Sequence, residues 1–340
     1  MARVRHIDAI VLFQRLLLFP LGLAPFSSDV LAQLDTNNCV ASEIQPEAID
    51  LDQPRDQLAR QSDLIIPEDA QITRINIVRR PIFDTSDPEQ DNFLYRTLNA
   101  LNTPTWKSAL RAQLVFDEGD VYQPGTLDES ERILRQSEYL TAAWIGVTRV
   151  CGNELEVTVL ARDTWTLLPS VGASRTGGEN KTNTGLSDPN FLGSGKSVGI
   201  SHKKDADRSE TSVDFDDPNV LGSHWQAGLS YDKRSDGRGR SAYLERPFYS
   251  ELAEWRFGLS GEDDIREQSR YVGAEAIADY RQDRDFASVD VGWRLAERNG
   301  SQLRLLAGFR YDARAFERLP DETNLDLLPD DRTLSYPWVG

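Results

Sequence analysis

Histidine, cysteine and methionine are scarce in this chain of 340 residues, which contains three, two and one of them. The histidines are His6, His202 and His224, and no spacing of histidine, cysteine and aspartate matches a metal site. The sequence also has no Gly-x-Ser-x-Gly motif of the kind that presents a catalytic serine. Its many carboxylates fall mostly in predicted loops, as on a solvated surface. We therefore predict neither an enzyme nor a cofactor.

Positive charge is also in short supply. Lysine and arginine together number 38, against 55 aspartates and glutamates, which gives a formal net charge of −17. Binding to nucleic acid requires clustered basic side chains that neutralise phosphates. The composition therefore argues against nucleic acid as a partner.

The first residues lack the long apolar run that a membrane-spanning helix needs. Arg3 and Arg5 precede a short apolar run at 16–26, and small residues follow before position 33. This pattern is typical of a secretory signal peptide, here 1–32. The alternative, an uncleaved anchor, is disfavoured because the run is too short to span and Arg15 interrupts its approach. We expect an exported protein.

The two cysteines, Cys39 and Cys151, form an even set in a chain predicted to be exported. Such a count permits one disulfide, although two separate thiols are the alternative. We expect a bridge that pins the N-terminal tail to the first folded domain.

Three regions follow the predicted signal peptide. Residues 33–70 are acidic and weakly patterned, which predicts a flexible linker. Residues 71–163 predict an α+β domain with the order strand, helix, helix, strand, strand. From 164 to 340 helix patterns vanish, and short alternating segments predict about ten antiparallel strands.

The helices of the predicted α+β domain rest on local signals. Pro104 fits a first helical position, and Trp106, Leu110 and Leu114 would form one apolar stripe. Thr126 and Glu129 have the spacing of a capping box ahead of the second helix. Two β-rich segments, 142–150 and 153–163, then flank a Cys-Gly turn and predict a hairpin.

In the second half, apolar and polar residues alternate with period two, so each predicted strand has one apolar and one polar face. Either a packed core or lipid could cover the apolar face. The motif Asp-Pro-Asn-x-Leu-Gly-Ser occurs twice, and Pro189, Pro218 and Pro247 are each 29 residues apart. That spacing fits a hairpin that crosses a bilayer twice, with these short turns at one end and charged loops at the other. The repeat turns contain Asp188, Pro189, Gly193, Asp217, Pro218, Gly222 and Pro247. A β-sandwich, the alternative, would tolerate irregular spacing.

The first repeat turn ends in Gly195-Lys196-Ser197, like the tail of a phosphate-binding loop. However, the required earlier glycine is replaced by Asn190, and the residues that follow alternate like a strand rather than a helix. We therefore predict a strand that begins after a turn.

Two stretches together carry a family resemblance. LVFDEGDVYQPGTLDESERILRQSEYLTAAWIGV (114–147) resembles a polypeptide-transport-associated (POTRA) domain, by its Gly-Asp, its Leu-x-x-x-x-Tyr-Leu and the hairpin after it. The repeat-turn region, 185–248, resembles early barrel strands of the BamA/TamA outer-membrane superfamily, also called bacterial surface antigens. Either motif alone would be weak. The resemblance covers roughly 70 to 340.

The resemblance implies a periplasmic POTRA domain joined to a transmembrane β-barrel of about sixteen strands in a Gram-negative outer membrane. Members assemble or transport other proteins there. A POTRA sheet can add a client strand to an exposed edge, because unpaired N–H and C=O groups template another strand. This role would fall on Ala142, Ala143, Trp144, Ile145, Gly146, Val147, Thr148, Arg149 and Val150. The alternative is an inert edge.

The sequence also departs from the superfamily. About ten strands are predicted instead of sixteen, the chain ends in SYPWVG with Pro337 where a closing strand would need hydrogen bonds, and the family's Arg-Gly-Phe or Arg-Gly-Tyr is missing. We therefore expect a piece of a longer protein that would not form a closed barrel alone.

The expected function is assembly or insertion of outer-membrane proteins, or protein translocation, without ATP. Expected partners are outer-membrane lipid, unfolded outer-membrane or secreted clients, and periplasmic accessory proteins. A passive channel and the barrel anchor of an exported enzyme, each with a POTRA domain that binds no client, are the alternatives, as is a purely periplasmic binding module.

Overall fold

The computed structural model describes residues 39–42, 45–51, 53, 64–176, 179–206, 208–273, 275–298, 301–320 and 328–340. The predicted signal peptide, 1–32, and much of the predicted linker lie outside these residues. Within the part of the chain that is described, no helix has the length and apolar character to cross a membrane.

A four-stranded sheet and three helices form the first part, called here the small domain (residues 39–163). The strands are β1 (Cys39–Ala41), β2 (Gln71–Arg80), β3 (Leu140–Cys151) and β4 (Glu154–Asp163), in the order β1-β3-β4-β2. β3 and β4 form the predicted antiparallel hairpin, and β2 pairs with β4 in parallel. The helices are α1 (Phe93–Leu101), α2 (Lys107–Arg111) and α3 (Pro124–Gln136).

The helix predicted from Pro104 onward is much shorter than expected. Only α2 is helical, and Trp106 stands before it with extended backbone and a side chain that is 52% exposed. The Trp106 N–H donates to the carbonyl of Gly193, in the second half of the chain, at 2.7 Å. A long-range contact therefore fixes this residue outside the helix, while Leu110 and Leu114 are buried as predicted.

Helix α1 was not predicted, so the order of elements between β2 and β3 is three helices instead of two. A signal for it is present: the side chain of Asn92 accepts the N–H of Tyr95, as an N-cap does. No residue of α1 is buried. Because its apolar residues Phe93, Leu94 and Leu101 are exposed, no buried stripe marks it as a helix of the core.

The capping box predicted at Thr126 and Glu129 is wrong. Helix α3 begins earlier, with Pro124 in its first turn and Gln123 as its N-cap, and the Thr126 hydroxyl donates to the Gln123 carbonyl at 2.8 Å. Glu129 instead pairs with Arg132, with a 2.7 Å contact from Nε to Oε2. Proline at the first helical position loses no hydrogen bond, which explains the earlier start.

The apolar core lies between the small sheet and its helices. It includes Ile72, Leu110, Leu134, Leu155, Val157 and Val159. On the other face of the sheet, Ile49 and Leu51 pack against Ala142, Trp144 and Leu160.

Part of the segment predicted as a flexible linker is thus ordered. The predicted disulfide between Cys39 and Cys151 is present. It holds β1 against the end of β3, and the burial of Ile49 and Leu51 stabilises the residues that follow. Neither contact is visible in the local composition of 33–70, which is why a linker was predicted.

The second part is one antiparallel sheet of ten strands, as the alternation predicted. Its order follows the chain, from β5 at one edge to β14 at the other. The strands are β5 (Leu168–Thr176), β6 (Glu179–Asp188), β7 (Ser197–Lys204), β8 (Ser209–Asp217), β9 (Gln226–Arg234), β10 (Gly237–Arg246), β11 (Trp255–Val272), β12 (Glu275–Arg298), β13 (Ser301–Arg318) and β14 (Arg332–Val339). Pro337 lies on β14, an edge strand, where the missing N–H is tolerated.

The charged segments predicted as loops are mostly strand. Residues 261–269 lie within β11, and β9 and β10 are separated by only Ser235 and Asp236. β12 has 24 residues, more than a bilayer crossing requires. Charged side chains are compatible with a strand that continues past the apolar rows, because water and cross-strand partners can satisfy them. Polarity alone therefore predicted the ends of these strands at the wrong positions.

Candidate functional site

The two copies of the repeated motif fold into the same turn. Asp188 and Asp217 each accept, through Oδ1, the N–H of the residue two positions on, at 2.9 and 3.0 Å. Leu192 and Leu221 both have left-handed backbone, with φ of 54° and 53°. The glycine that follows each leucine also has positive φ. The predicted reading as structural turns, not a phosphate loop, fits this geometry, and β7 begins at Ser197 as expected.

The first repeat turn is bound to the small domain through a buried polar network. The carboxylate of Asp163, at the end of β4, accepts the Thr105 N–H at 3.1 Å and the Thr105 hydroxyl at 2.5 Å. The amide of Asn190 donates to the same hydroxyl oxygen at 2.8 Å and, through Oδ1, accepts the Gly195 N–H at 2.7 Å. Burial raises the pKa of the Asp163 carboxyl. Asn190 therefore joins the turn to the domain through its side chain, in addition to the backbone bond between Trp106 and Gly193.

The two following turns also contact the small domain. Asn219 donates through Nδ2 to the carbonyl of Ala112 at 3.1 Å. The Glu251 N–H, in the turn after Pro247, donates to Glu129 of α3 at 2.7 Å. Three successive hairpin turns thus form hydrogen bonds with the small domain. This role for the repeat could not be read from the sequence, since the partners are about 80 to 120 positions away.

A cavity of about 360 Å³ lies at this junction. Its walls include Gln113, Tyr139, Pro189, Pro218, His224 and Tyr249. The rings of His224 and Tyr249 stack with centroids 3.8 Å apart. Burial lowers the pKa of His224, and burial raises the pKa of Tyr139 to about 12. Both side chains are therefore neutral at pH 7 and belong to the packing of the junction.

One face of the ten-stranded sheet is apolar and exposed. Directly paired residues from five neighbouring strands form a row, and the row consists of Ala227, Leu244, Leu259, Val289 and Phe309. The side chains of Leu259 and Phe309 are 48% and 44% exposed. Nearly all buried apolar residues belong instead to the small domain; among the described residues of the large sheet and its turns, only Ala253 and Ala278 are buried apolar residues.

The opposite face carries ion pairs. Arg234 of β9 is 11% exposed at its side chain and contacts carboxylates on three strands, with Nε 2.7 Å from Glu210 Oε2, Nη2 3.0 Å from Asp232 Oδ2, and Nη1 bonded to Asp264. Arg284 of β12 similarly contacts a carboxylate of β13 at 2.9 Å. These charges are paired across strands, as expected for a partly enclosed polar surface. The sheet therefore has one face of exposed apolar side chains and one face of charged side chains that pair with each other.

The predicted client-binding strand, 142–150, lies within β3 and is partly covered. β1 pairs with its last part, through Cys39–Ala41 with Arg149–Cys151, and the Ser42 N–H donates to Thr148 at 2.9 Å. Among the described residues, no strand pairs with the outer edge at 145–147. The Ile145 N–H on this edge donates to Glu131 of α3 at 3.2 Å.

A groove of about 700 Å³ lies between α3 and this part of β3. Its walls include Leu64, Ile66, Tyr122, Leu127, Ile145 and Val147. Glu68, Asp128 and Glu131 also line it. The groove therefore places walls of mixed apolar and acidic character beside a strand edge, which is an arrangement that can hold an extended peptide.

A group of three carboxylates, Asp263, Asp283 and Asp285, was not predicted as a metal site. One oxygen from each lies within 4.8 Å of the others, so together they could hold a cation. Asp263 lies on β11, in a segment predicted as a charged loop, and Asp283 and Asp285 lie on β12. Exposed acidic groups of this kind are common on strands, so the cluster by itself assigns no function.

Two solved structures match most of this chain at low sequence identity. BamA from Haemophilus ducreyi, in a form lacking POTRA domains 1–3, matches 73% of this chain with 10% identity and a TM-score of 0.39, and the chain spans 56% of that BamA chain. CdiB from Acinetobacter baumannii matches 78% of this chain and 74% of its own, with 12% identity and a TM-score of 0.36. No model of a protein family matches the sequence. The comparison with curated proteins gave no match.

Proposed function

We propose that this chain is an outer-membrane protein of the BamA/TamA type. In this proposal the ten-stranded sheet forms part of the wall of a transmembrane β-barrel in a Gram-negative outer membrane. The small domain is a POTRA domain in the periplasm, and residues 1–32 direct export. The protein assembles or translocates other proteins by offering them a strand edge and needs no cofactor.

The observation that carries the proposal is the arrangement of the two sheet faces. In a protein surrounded by water, contiguous exposed apolar surface is limited to a few hundred Å². Here rows of exposed apolar side chains continue across neighbouring strands, while buried or half-buried arginines pair with carboxylates behind them. Hydrocarbon outside and a polar lumen inside would satisfy both faces.

The length of the apolar segments supports the same conclusion. On β12, alternate residues from Ala287 to Leu295 lie on the apolar face, which makes about nine residues per crossing. The next residue of that face toward the strand's other end is Asp285, so the apolar segment ends there. A tilted strand of this length matches a bilayer core.

A pair of substitutions on one strand tests lipid contact. Leu259→Arg puts a charge in the middle of the apolar face and should cost about 2–4 kcal/mol of insertion free energy. Ser260→Arg, the matched control, puts the same charge on the opposite, polar face. We expect the first variant, expressed as the full chain, to be depleted several-fold from urea-washed outer membranes relative to the second. Equal membrane recovery of both variants, or recovery of the unaltered chain in the aqueous periplasmic fraction, would contradict the proposal.

Client binding is supported by the groove between α3 and β3. An extended chain laid along the edge at 145–147 would meet backbone groups on one side and walls of apolar and acidic side chains on the other. The Ile145 N–H is already bonded to Glu131, so a client strand would have to exchange with that carboxylate. Strand addition of this kind draws its affinity from backbone hydrogen bonds and its selectivity from the walls.

Photocrosslinking tests this part of the proposal. A photoreactive amino acid replaces Asp128, which is exposed on α3 at the groove, or Ala100, which is exposed on α1. When the membrane-embedded full chain meets an unfolded outer-membrane protein, we expect adducts at position 128 well above those at position 100. Equal labelling at the two positions would contradict a client site in the groove.

A second candidate function is a passive channel, and the charged residues of the polar face are the observation that supports it. Arg234 and Arg284 would line the lumen together with their carboxylates. Planar-bilayer conductance without client crosslinking would support the channel instead of assembly.

A further inference from the structure

Each repeat turn has an exposed leucine, Leu192 or Leu221, and packing within the protein does not explain these two residues. Leu192 is 60% exposed and Leu221 is 100% exposed. Both have left-handed backbone, which is unfavourable for every residue with a Cβ and is usually left to glycine or asparagine. No protein contact compensates for this at Leu221, since its side chain is fully solvent-exposed. An apolar residue is therefore held twice, at a backbone cost, in equivalent exposed positions.

The turn residues on either side of these leucines carry no formal charge, although Lys196 and Asp217, which flank the turns, form an ion pair with each other. Residues 189–195 and 218–224 contain no lysine, arginine, aspartate or glutamate, unlike the opposite ends of the same strands. Phe191 beside Leu192 is 45% exposed, and Trp106, whose N–H bonds to this turn, is 52% exposed. The turns thus expose aromatic and aliphatic surface at one end of the sheet.

Tryptophans stand at the same end of the apolar face. Trp255 and Trp293 are cross-strand partners, and the ring of Trp225 contacts that of Trp255 at 6.2 Å between centroids. Tryptophan is enriched where a bilayer meets water, because its ring is apolar and its N–H is polar. Trp225 follows Leu221 by four residues, so the leucine turns lie just beyond this row.

We propose that Leu192 and Leu221 are lipid anchors that enter the interfacial layer of the membrane leaflet next to the small domain. This inference rests on the proposed membrane function. The partner is bilayer lipid, because both leucines are exposed in turns that lie directly beyond the tryptophan row of the apolar face. Three successive turns also hold the small domain, so the anchors would fix its height above the membrane.

Spin labelling of the full chain in vesicles of phosphatidylethanolamine and phosphatidylglycerol tests this inference. Single cysteines replace Leu192 or Leu221, with Leu244→Cys as a control on the apolar face and Lys204→Cys as a control at the charged end. The native disulfide stays closed, so only the new cysteine reacts. The measured quantity is the ratio of nitroxide collisions with oxygen, which partitions into lipid, to collisions with a water-soluble nickel chelate.

We expect the ratio at positions 192 and 221 to exceed that at 204 by roughly threefold or more and to stay below that at 244. If position 244 shows the high ratio of a lipid-exposed site while positions 192 and 221 match position 204, the anchors are refuted and the membrane proposal stands. Low collision rates with both reagents at positions 192 and 221 would indicate a protein contact there and would also refute the anchors. If 244 itself reads as water, the membrane proposal fails and this inference with it.

A double substitution separates an anchor from a structural requirement. Leu192→Asn with Leu221→Asn suits left-handed backbone better, so the fold should be preserved or stabilised in detergent. We expect the yield of insertion into the same vesicles to fall roughly threefold. An unchanged insertion yield would overturn the inference.

Discussion

At the scale of single residues, the repeat turns provide a matched pair of glycines in different surroundings. Gly193 and Gly222 have φ of 77° and 75° and occupy the same position in the two turns. A Cβ on Gly193 would lie 2.5 Å from the carbonyl oxygen of Pro104, whereas a Cβ on Gly222 would meet nothing within 4 Å. The backbone requirement is therefore shared, and the close approach to the small domain belongs to the first turn alone.

This difference predicts unequal effects of alanine. Gly222→Ala should cost about 1 kcal/mol, because alanine is strained at positive φ. Gly193→Ala should cost about 1–3 kcal/mol more, because Pro104 backbone must also move. Urea unfolding of the two variants in the same detergent measures the difference. Equal midpoints would mean that the first turn is not docked as described.

His224 makes the junction sensitive to pH. Burial lowers its pKa in the folded protein below the ordinary value of 6.5. The neutral ring therefore contributes stability that is present above pH 6.5 and is lost as the pH falls through the lowered pKa. We expect the urea midpoint to fall between about pH 8 and pH 5, and to fall less in a His224→Phe variant, whose ring can still stack on Tyr249. His202→Phe, at an exposed strand position, should keep the full slope; if both variants behave alike, the junction histidine is not responsible.

At the scale of elements, the disulfide explains why a short N-terminal strand exists. β1 has three residues, too few to persist by strand pairing alone. The Cys39–Cys151 bridge closes a loop with a sequence separation of 112, and it holds β1 beside the last residues of β3. The chain after β1 then places Ile49 and Leu51 on the outer face of the small sheet. The disulfide thus holds β1 in place, and β1 covers part of the outer edge of β3.

Removing both sulfurs should therefore loosen this edge. In Cys39→Ser with Cys151→Ser, we expect the small domain to lose about 4 kcal/mol of unfolding free energy, from the restored freedom of the long loop in the unfolded chain. Hydrogen exchange at β3 and β4 measures the loss. The unaltered protein after reduction is the control and should show the same loss. Unchanged exchange in the serine variant would show that the tail packing holds without the bond.

At the scale of the whole molecule, apolar burial is unevenly distributed. The small domain has an ordinary core of aliphatic residues between a sheet and helices. The large sheet has exposed apolar rows and paired charges, the reverse of a protein surrounded by water. The small domain is therefore stabilised by a core that excludes water, whereas the large sheet leaves apolar side chains uncovered. This difference is the reason that a membrane function is proposed.

The sequence by itself determined the features that arise within a strand or a turn. Alternation with period two is a local property of extended backbone, so the two unlike faces of β9 or β13 could be predicted without neighbours. The repeated turn was readable for the same reason, since Asp188 and Asn190 bond within a few residues. Only the tertiary structure decided that Trp106 stays outside a helix, that Asn190 joins Thr105, and that residues 46–51 are ordered. Each of these depends on a partner far along the chain, and local composition carries no record of such a partner.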